Sequence, residues 1–205
     1  MTWILTSCGR VIEFTDPIGT AGALPIESIA HSLATINRFT GHAVRPNSVA
    51  EHSLLVAEIL ESEHPGCHPL LLLAGLLHDA HECITNDIAA PAKPIIGPGW
   101  KRFESEWEEH FHAVFGLRGV PPAWWAAIKH ADLTALATER RDLLPPCGPA
   151  WTHGVHAVPW VQLRQRDALT WQDWRQAFID RYHELSFALQ LRGAATHPVT
   201  GDAEA

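Results

Sequence analysis

The run Pro69-Leu70-Leu71-Leu72-Leu73-Ala74-Gly75-Leu76-Leu77 constrains the fold more than any other part of this chain. A helix that is apolar on nearly every side has no face to offer water, so other elements must enclose it. Yet it runs straight into His78-Asp79. Burying an imidazole and a carboxylate together is costly unless they are paired or bound to a metal. Adjacent helical residues point about 100° apart. Such a pair can present two ligands to a cation at the helix edge, and further ligands must then come from neighbouring helices.

Periodicity locates those neighbours. Ile26, Ile29, Ala30, Leu33 and Ile36 predict a helix from Pro25 that ends near Arg38 to Gly41. Ser48 followed by Glu51 three residues later is a capping-box arrangement. It opens a second helix that carries Val49, Leu55, Val56, Ile59 and Leu60 inward and stops at His64-Pro65-Gly66. The apolar third helix is expected from Pro69 to about Cys83, as the buried centre of the domain. Pro91, Pro94, Pro98 and two glycines make residues 88–99 a surface loop. Trp100, Phe103, Trp107, Phe111 and Val114 mark a fourth helix, a fifth runs from Pro122 to about Leu144, and a sixth from Trp171 to about Leu191. Residues 145–160 form a long irregular loop of a kind that is often functional.

Two β-prone runs, Trp3 to Thr6 and Arg10 to Phe14, are split by Cys8-Gly9 and suit a small hairpin ended by Asp16-Pro17. The expected class is therefore all-α, a bundle of about six main helices with a small N-terminal β-hairpin. A single domain is expected over residues 1–192, with 1–20 as the hairpin and extended start. Residues 193–205 have no apolar period and read as a disordered tail.

Composition narrows the partners. A net charge of −8, from 15 basic and 23 acidic residues, offers no general field for a long nucleic acid. A small phosphorylated ligand stays open, because a bound cation supplies local positive charge. The start of the chain has no signal-peptide core and no apolar stretch reaches membrane length, so a cytoplasmic protein without a membrane partner is expected. Cys8, Cys67, Cys83 and Cys147 form no C-x-x-C pair and read as ordinary thiols. Fourteen histidines in 205 residues direct attention to metal chemistry.

Candidates to join His78 and Asp79 are few. His52 lies one turn into the second helix, and Asp132 interrupts the apolar side of the fifth between Ala131 and Leu133. Any one of these alone would be an ordinary packed or solvated residue. Together they offer two imidazoles and two carboxylates, a mixed set suited to a single divalent cation such as Mn, Co, Zn, Fe or Mg. His81, His110, His112, His130, His153 and His156 read as structural or surface residues. The tryptophans at 100, 107, 124, 125, 171 and 174 read as core or oligomer contacts. The run TERRD at 138–142 reads as a solvated face, with Arg140 or Arg141 reaching a triphosphate or a neighbouring subunit as the minority reading.

The order His52, His78-Asp79, Asp132 resembles the H…HD…D signature of the HD-domain metal-dependent phosphohydrolases. INRF at 36–39, SVAEHSLLVA at 48–57, LLHDAHECITND at 76–87 and ADLTALATERRDLL at 131–144 are similar to segments of bacterial 5′-deoxynucleotidases and phage dATP triphosphohydrolases. The resemblance spans roughly residues 10 to 190. It implies one divalent metal on His52, His78, Asp79 and Asp132, with Glu82 handling the attacking water and Asp87 contacting water or sugar. It further implies that Arg38 grips phosphate, that Phe39 stacks or packs against the nucleoside, and that Lys93 stands near the phosphates. His42 and Arg45 are phosphate candidates by position alone. His81 departs from the family, which carries a small residue there.

The expected activity is hydrolysis of a small (deoxy)nucleotide. It would release triphosphate from a dNTP such as dATP, or orthophosphate from a deoxynucleoside 5′-monophosphate, by a homo-oligomer (dimer or hexamer). The alternatives are a cyclic-dinucleotide or other nucleotide phosphodiesterase, and a non-catalytic metal-binding sensor or scaffold.

Overall fold

The computed structural model describes residues 2–17, 24–149, 151 and 154–196. The N-terminal alternation forms the expected hairpin. Strand β1 (Trp3–Leu5) pairs antiparallel with β2 (Val11–Glu13), setting Trp3 opposite Glu13 and Ile4 opposite Ile12. Gly9 takes φ 81° in the connecting turn, a conformation that costs only glycine nothing. Ile12 anchors the hairpin by complete burial.

The rest of the described chain is mostly helical, as expected for the all-α class. Six main helices are α1 (Ile26–Thr35), α2 (Val49–Glu63), α3 (Pro69–Leu76), α6 (Pro98–Val114), α7 (Pro122–Leu143) and α8 (Trp171–Thr196). Two single-turn helices, α4 (Glu82–Thr85) and α5 (Lys93–Ile96), lie between α3 and α6. Helix α2 packs against α1, α3, α7 and α8, and α3 against α2, α7 and α8. The central position expected of α3 is thus shared with α2, whose residues Val49 to Ala57 are all buried. Gly75 is what lets the two approach: a Cβ there would stand 2.3 Å from Leu60 Cδ1. Among the described residues no helix is long and apolar enough to cross a membrane, and all four cysteines are free.

Four expectations are corrected. Helix α3 stops at Leu76, not near Cys83, and residues 77–81 continue as tight turns. The physical reason lies in His78, whose Nδ1 contacts the Gly75 carbonyl at 2.8 Å and so takes the acceptor that the next helical N–H would need. Three-residue bonds follow instead, from Ala80 N to Leu77 O and from Glu82 N to Asp79 O. Glu82 therefore opens a new helical turn and does not share one helix with His78. The 88–99 loop contains α5, where Pro94 sits in the first turn and meets no missing donor. Helix α8 continues through Gly193 to Thr196, so residues 193–196 are not a disordered tail; 197–205 lie outside the described residues. The 48–51 capping box is half realised. Ser48 Oγ accepts the Glu51 N–H, but the Glu51 carboxylate accepts two bonds from Arg45, at 2.7 Å each. A charge-assisted bidentate pair outcompetes a neutral backbone N–H.

Candidate metal centre

Three separate pieces of backbone converge at one end of α2. His52 is a fully buried residue in the second turn of that helix. His78 and Asp79 occupy the turn that follows α3, and Asp132 lies midway along α7. Ligand atoms of His52, His78 and Asp132 all lie within 4.8 Å of one another. Asp79 stands beside that trio, with Oδ2 3.1 Å from His78 Nε2 and 3.8 Å from His52 Nε2. A His52, His78, Asp132 group of this geometry can hold a metal ion.

The hydrogen-bond inventory tests that fit. Each imidazole uses Nδ1 on an outer acceptor, His78 on the Gly75 carbonyl and His52 on Glu139 Oε1 at 3.1 Å. Both Nε2 atoms are buried and lack a hydrogen-bond partner. His52 Nε2 approaches Asp132 Oδ1 to 3.2 Å without hydrogen-bond alignment. Buried polar atoms are nearly always satisfied. Two orphaned nitrogens aimed at two carboxylates form the donor set that a divalent cation completes. The second oxygen of Asp132 is covered at 2.6 Å by the largely exposed Lys129 ammonium.

Electrostatics follow from this crowding. Burial and Arg38 push the His52 imidazolium down, yet Glu139 and Asp132 outweigh them and raise its pKa to about 9. Burial raises Asp79, but His78, His52 and His81 together hold its carboxyl well below the usual carboxylate range. Glu82 behaves oppositely. Burial, reinforced by Asp79 and Asp87, pushes it well above the usual range despite Arg38 and Lys93, and its Oε2 is buried without a partner. Asp87 is half-buried and raised chiefly by burial, with Arg38, Asp79, His52 and Lys93 as its charged neighbours.

The other expected residues separate into those brought to the site and those kept from it. Arg38 is buried, with Nη1 3.9 Å from Asp79 Oδ2. It is placed there by an extended segment: Asn37 bridges Ser48, and Arg38 N donates to Asn47 O at 2.8 Å. Phe39 and Thr40 then take φ 55° and 53°, left-handed values that a β-branched threonine seldom adopts. The half-buried Phe39 ring lies 5.7 Å from the Arg38 guanidinium and 6.3 Å from the Trp151 ring. Lys93 is half-buried and held by Glu104 at 2.6 Å. His42 is exposed beyond the turn and is not drawn into the cluster. Arg45 is corrected: its guanidinium is engaged by Glu51, Pro46 O and Leu163 O, and no donor pair is left for phosphate.

Among the remaining histidines, His81 is buried, His110 packs edge-on to Trp107, and His112 stacks on Trp125 at 4.6 Å. His130 lies 3.8 Å from Glu63, His156 is exposed, and His153 lies outside the described residues. Trp107 and Trp174 are core residues as expected, whereas Trp171 is exposed.

The TERRD run is also corrected. Glu139 and Asp142 are buried, and Glu139 is the carboxylate that holds His52, Asn47 and Arg38. The signal was available: Glu139 follows Asp132 by seven residues, two turns of one helix face.

No protein-family model matches the chain. It is similar to the uncharacterized protein RCAP_rcc00048 of Rhodobacter capsulatus, with 38% identity over 144 residues, covering 69% of this chain and 72% of the relative. It is similar also to the uncharacterized protein YfdR of Escherichia coli, with 34% identity over 186 residues, covering 91% of this chain and 97% of YfdR. Identity at that level across nearly the whole of YfdR means that the chain belongs to the family that contains YfdR and RCAP_rcc00048.

Proposed function

We propose that this protein is a divalent-metal-dependent phosphohydrolase of the HD-domain type that acts on small deoxynucleotides. One observation carries the reading: two buried Nε2 atoms without partners face Asp132 and Asp79, and a buried arginine stands 3.9 Å beyond. A purely structural metal site closes on its protein ligands. Here a buried carboxyl at Glu82, a half-buried one at Asp87 and two cations surround the ligands, which is the equipment of hydrolysis rather than of a scaffold.

His52, His78 and Asp132 would hold the cation, with Asp79 alongside as the fourth ligand. The cation, when bound, supplies charge neutralisation at a phosphoryl oxygen and lowers the pKa of bound water toward about 7. Arg38 contributes the next positive charge. Its Nε and Nη2 are spent on Glu139, which leaves Nη1 to donate to a phosphoryl oxygen. Water attacks phosphorus as the ester P–O bond breaks, and Glu82 accepts the proton from the water and passes it to the leaving oxygen, so that the nucleoside departs neutral and the carboxylate is restored. The raised pKa of Glu82 suits a group that both takes and gives protons. Phe39 offers an aromatic edge to the nucleoside.

The test is direct. The purified protein is incubated with Mn, Co, Mg or Zn in turn against all dNMPs, dNTPs and their ribose counterparts, and the products are identified. Nucleoside plus triphosphate assigns the dNTP reaction, and nucleoside plus orthophosphate the monophosphate reaction. No phosphate release with any metal and any of these substrates overturns the proposal.

A further inference from the structure

Glu139 is a carboxylate with no exposure to speak of, at 1%. Every contact it makes leads to the centre. Oε1 accepts from His52 Nδ1 at 3.1 Å and from Asn47 Nδ2 at 3.1 Å. Oε2 accepts from Arg38 Nε at 3.2 Å and lies 3.2 Å from Nη2 of the same guanidinium. The four contacts account for both oxygens, and none is made to a residue remote from the cluster. An ion pair kept for stability alone is poor use of a buried site, since apolar packing of equal volume often serves as well.

The contact with His52 decides which nitrogen can bind a metal. A carboxylate against Nδ1 requires a proton there, because a lone pair in that position would face negative charge. Nε2 is then the nitrogen that faces His78, Asp79 and Asp132 and the one placed to ligate a cation. His78 is fixed in the same sense by the Gly75 carbonyl, which belongs to the backbone and cannot be altered by substitution. His52 depends on a side chain instead. The same carboxylate holds two of the three guanidinium nitrogens of Arg38 and leaves Nη1 turned toward Asp79. Helix α7 thus delivers a ligand at Asp132 and, two turns later, the group that aims another ligand.

We infer that Glu139 is a positioning residue shared by two functions: it sets the His52 donor atom toward the cation and holds Arg38 in its phosphate-facing pose, so that metal loading and phosphate binding depend on one carboxylate. The Arg38 half of this inference rests on the phosphohydrolase reading; the His52 half needs only the metal centre.

The experiment measures Mn2+ affinity of the metal-free protein by calorimetry at fixed pH, then inorganic phosphate affinity of the Mn2+-loaded protein. Glu139→Gln is expected to weaken Mn2+ binding by about 10- to 100-fold, the usual cost of losing such an outer partner, and to weaken phosphate binding as well. Glu139→Asp keeps the charge and is expected to recover part of both losses, which a merely structural role would not produce. Should Glu139→Gln fail to fold, the double variant Glu139→Gln with Arg38→Gln, which removes the whole ion pair, is compared with Arg38→Gln alone. Mn2+ affinity within about threefold of the matched reference overturns the His52 half. Phosphate affinity unchanged in Glu139→Gln overturns the Arg38 half. A wild-type protein that binds no Mn2+ overturns the metal centre and this inference together. One that binds Mn2+ but hydrolyses nothing overturns the proposed function and the Arg38 half with it, and leaves the His52 half standing.

Discussion

Helix α7 carries acids at both the candidate metal centre and a structural knot, and they are satisfied in opposite ways. At Asp142 every demand is met by the protein. Arg141 donates to both of its oxygens at 2.7 and 2.8 Å, and Leu163 N adds a third bond at 2.8 Å. Arg141 continues to the carbonyls of Val158 and Val161, so this knot pins the irregular 158–163 segment onto the helix. At Asp132, ten residues earlier, the facing histidine nitrogen has no aligned partner, and an exposed surface lysine is the closest cation. A closed polar network stabilises; an open one with orphaned nitrogens is a place where something else binds.

That contrast can be broken or sharpened by substitution. The largest effect is expected at the open end. His78→Ala or Asp132→Ala should lower Mn2+ affinity by at least about 100-fold, read by calorimetry, while the circular dichroism spectrum stays that of a folded helical protein. Glu82→Gln should lower kcat by about 10²- to 10⁴-fold, as for loss of an acid–base group, with Mn2+ affinity kept within a few fold. A parallel loss of both would make Glu82 a ligand and not a proton acceptor.

Asp142→Asn should behave in reverse. It is expected to cost about 2–3 kcal/mol of stability, the value of buried hydrogen bonds to a charged group, and to leave Mn2+ affinity unchanged. The pH dependence has a definite sign. Burial raises the Asp142 carboxyl, but Arg141 and the Leu163 N–H hold it below its ordinary value. Its contribution is therefore fully present above the unfolded pKa of about 3.9 and is lost as pH falls through the lower folded value. Denaturant melts of wild type and variant should converge in that acid window; equal separation at every pH would remove Asp142 as the titrating group.

Gly75→Ala should destabilise by about 1–3 kcal/mol through overpacking against Leu60, and should weaken metal binding because the turn that follows α3 carries His78. The smallest effect is expected from Lys129→Met. Removing an exposed cation from Asp132 should strengthen Mn2+ binding by about threefold or less, in keeping with the weakness of surface pairs. A loss of affinity instead would mean that Lys129 orients the ligand.

The legible parts of the site were those whose residue types clash with their surroundings. His78-Asp79 after an apolar run, and Asp132 inside an apolar helix face, announce themselves without coordinates. Glu139 did not, because TERRD has the composition of a solvated face and its burial depends on what covers α7. The engagement of Arg45 is hidden for a related reason: proximity in sequence to a ligand helix does not reveal that Glu51 and Leu163 O already claim its donors. Helix α3 ends earlier than its apolar period because side-chain capture of the Gly75 carbonyl by His78 is invisible to periodicity.

Taken alone, the amino-acid order determined the all-α class, the hairpin and the six main helices, because periodicity, caps and turn residues act over a few positions. It also picked out His52, His78, Asp79 and Asp132 as the residues to bring together. Only the tertiary structure decided which nitrogen of His52 faces inward, which arginine keeps a free donor and which acid supports the ligands. Those choices depend on partners 87 to 118 positions apart in sequence, and hydrogen-bond competition among them is settled only once the helices are packed.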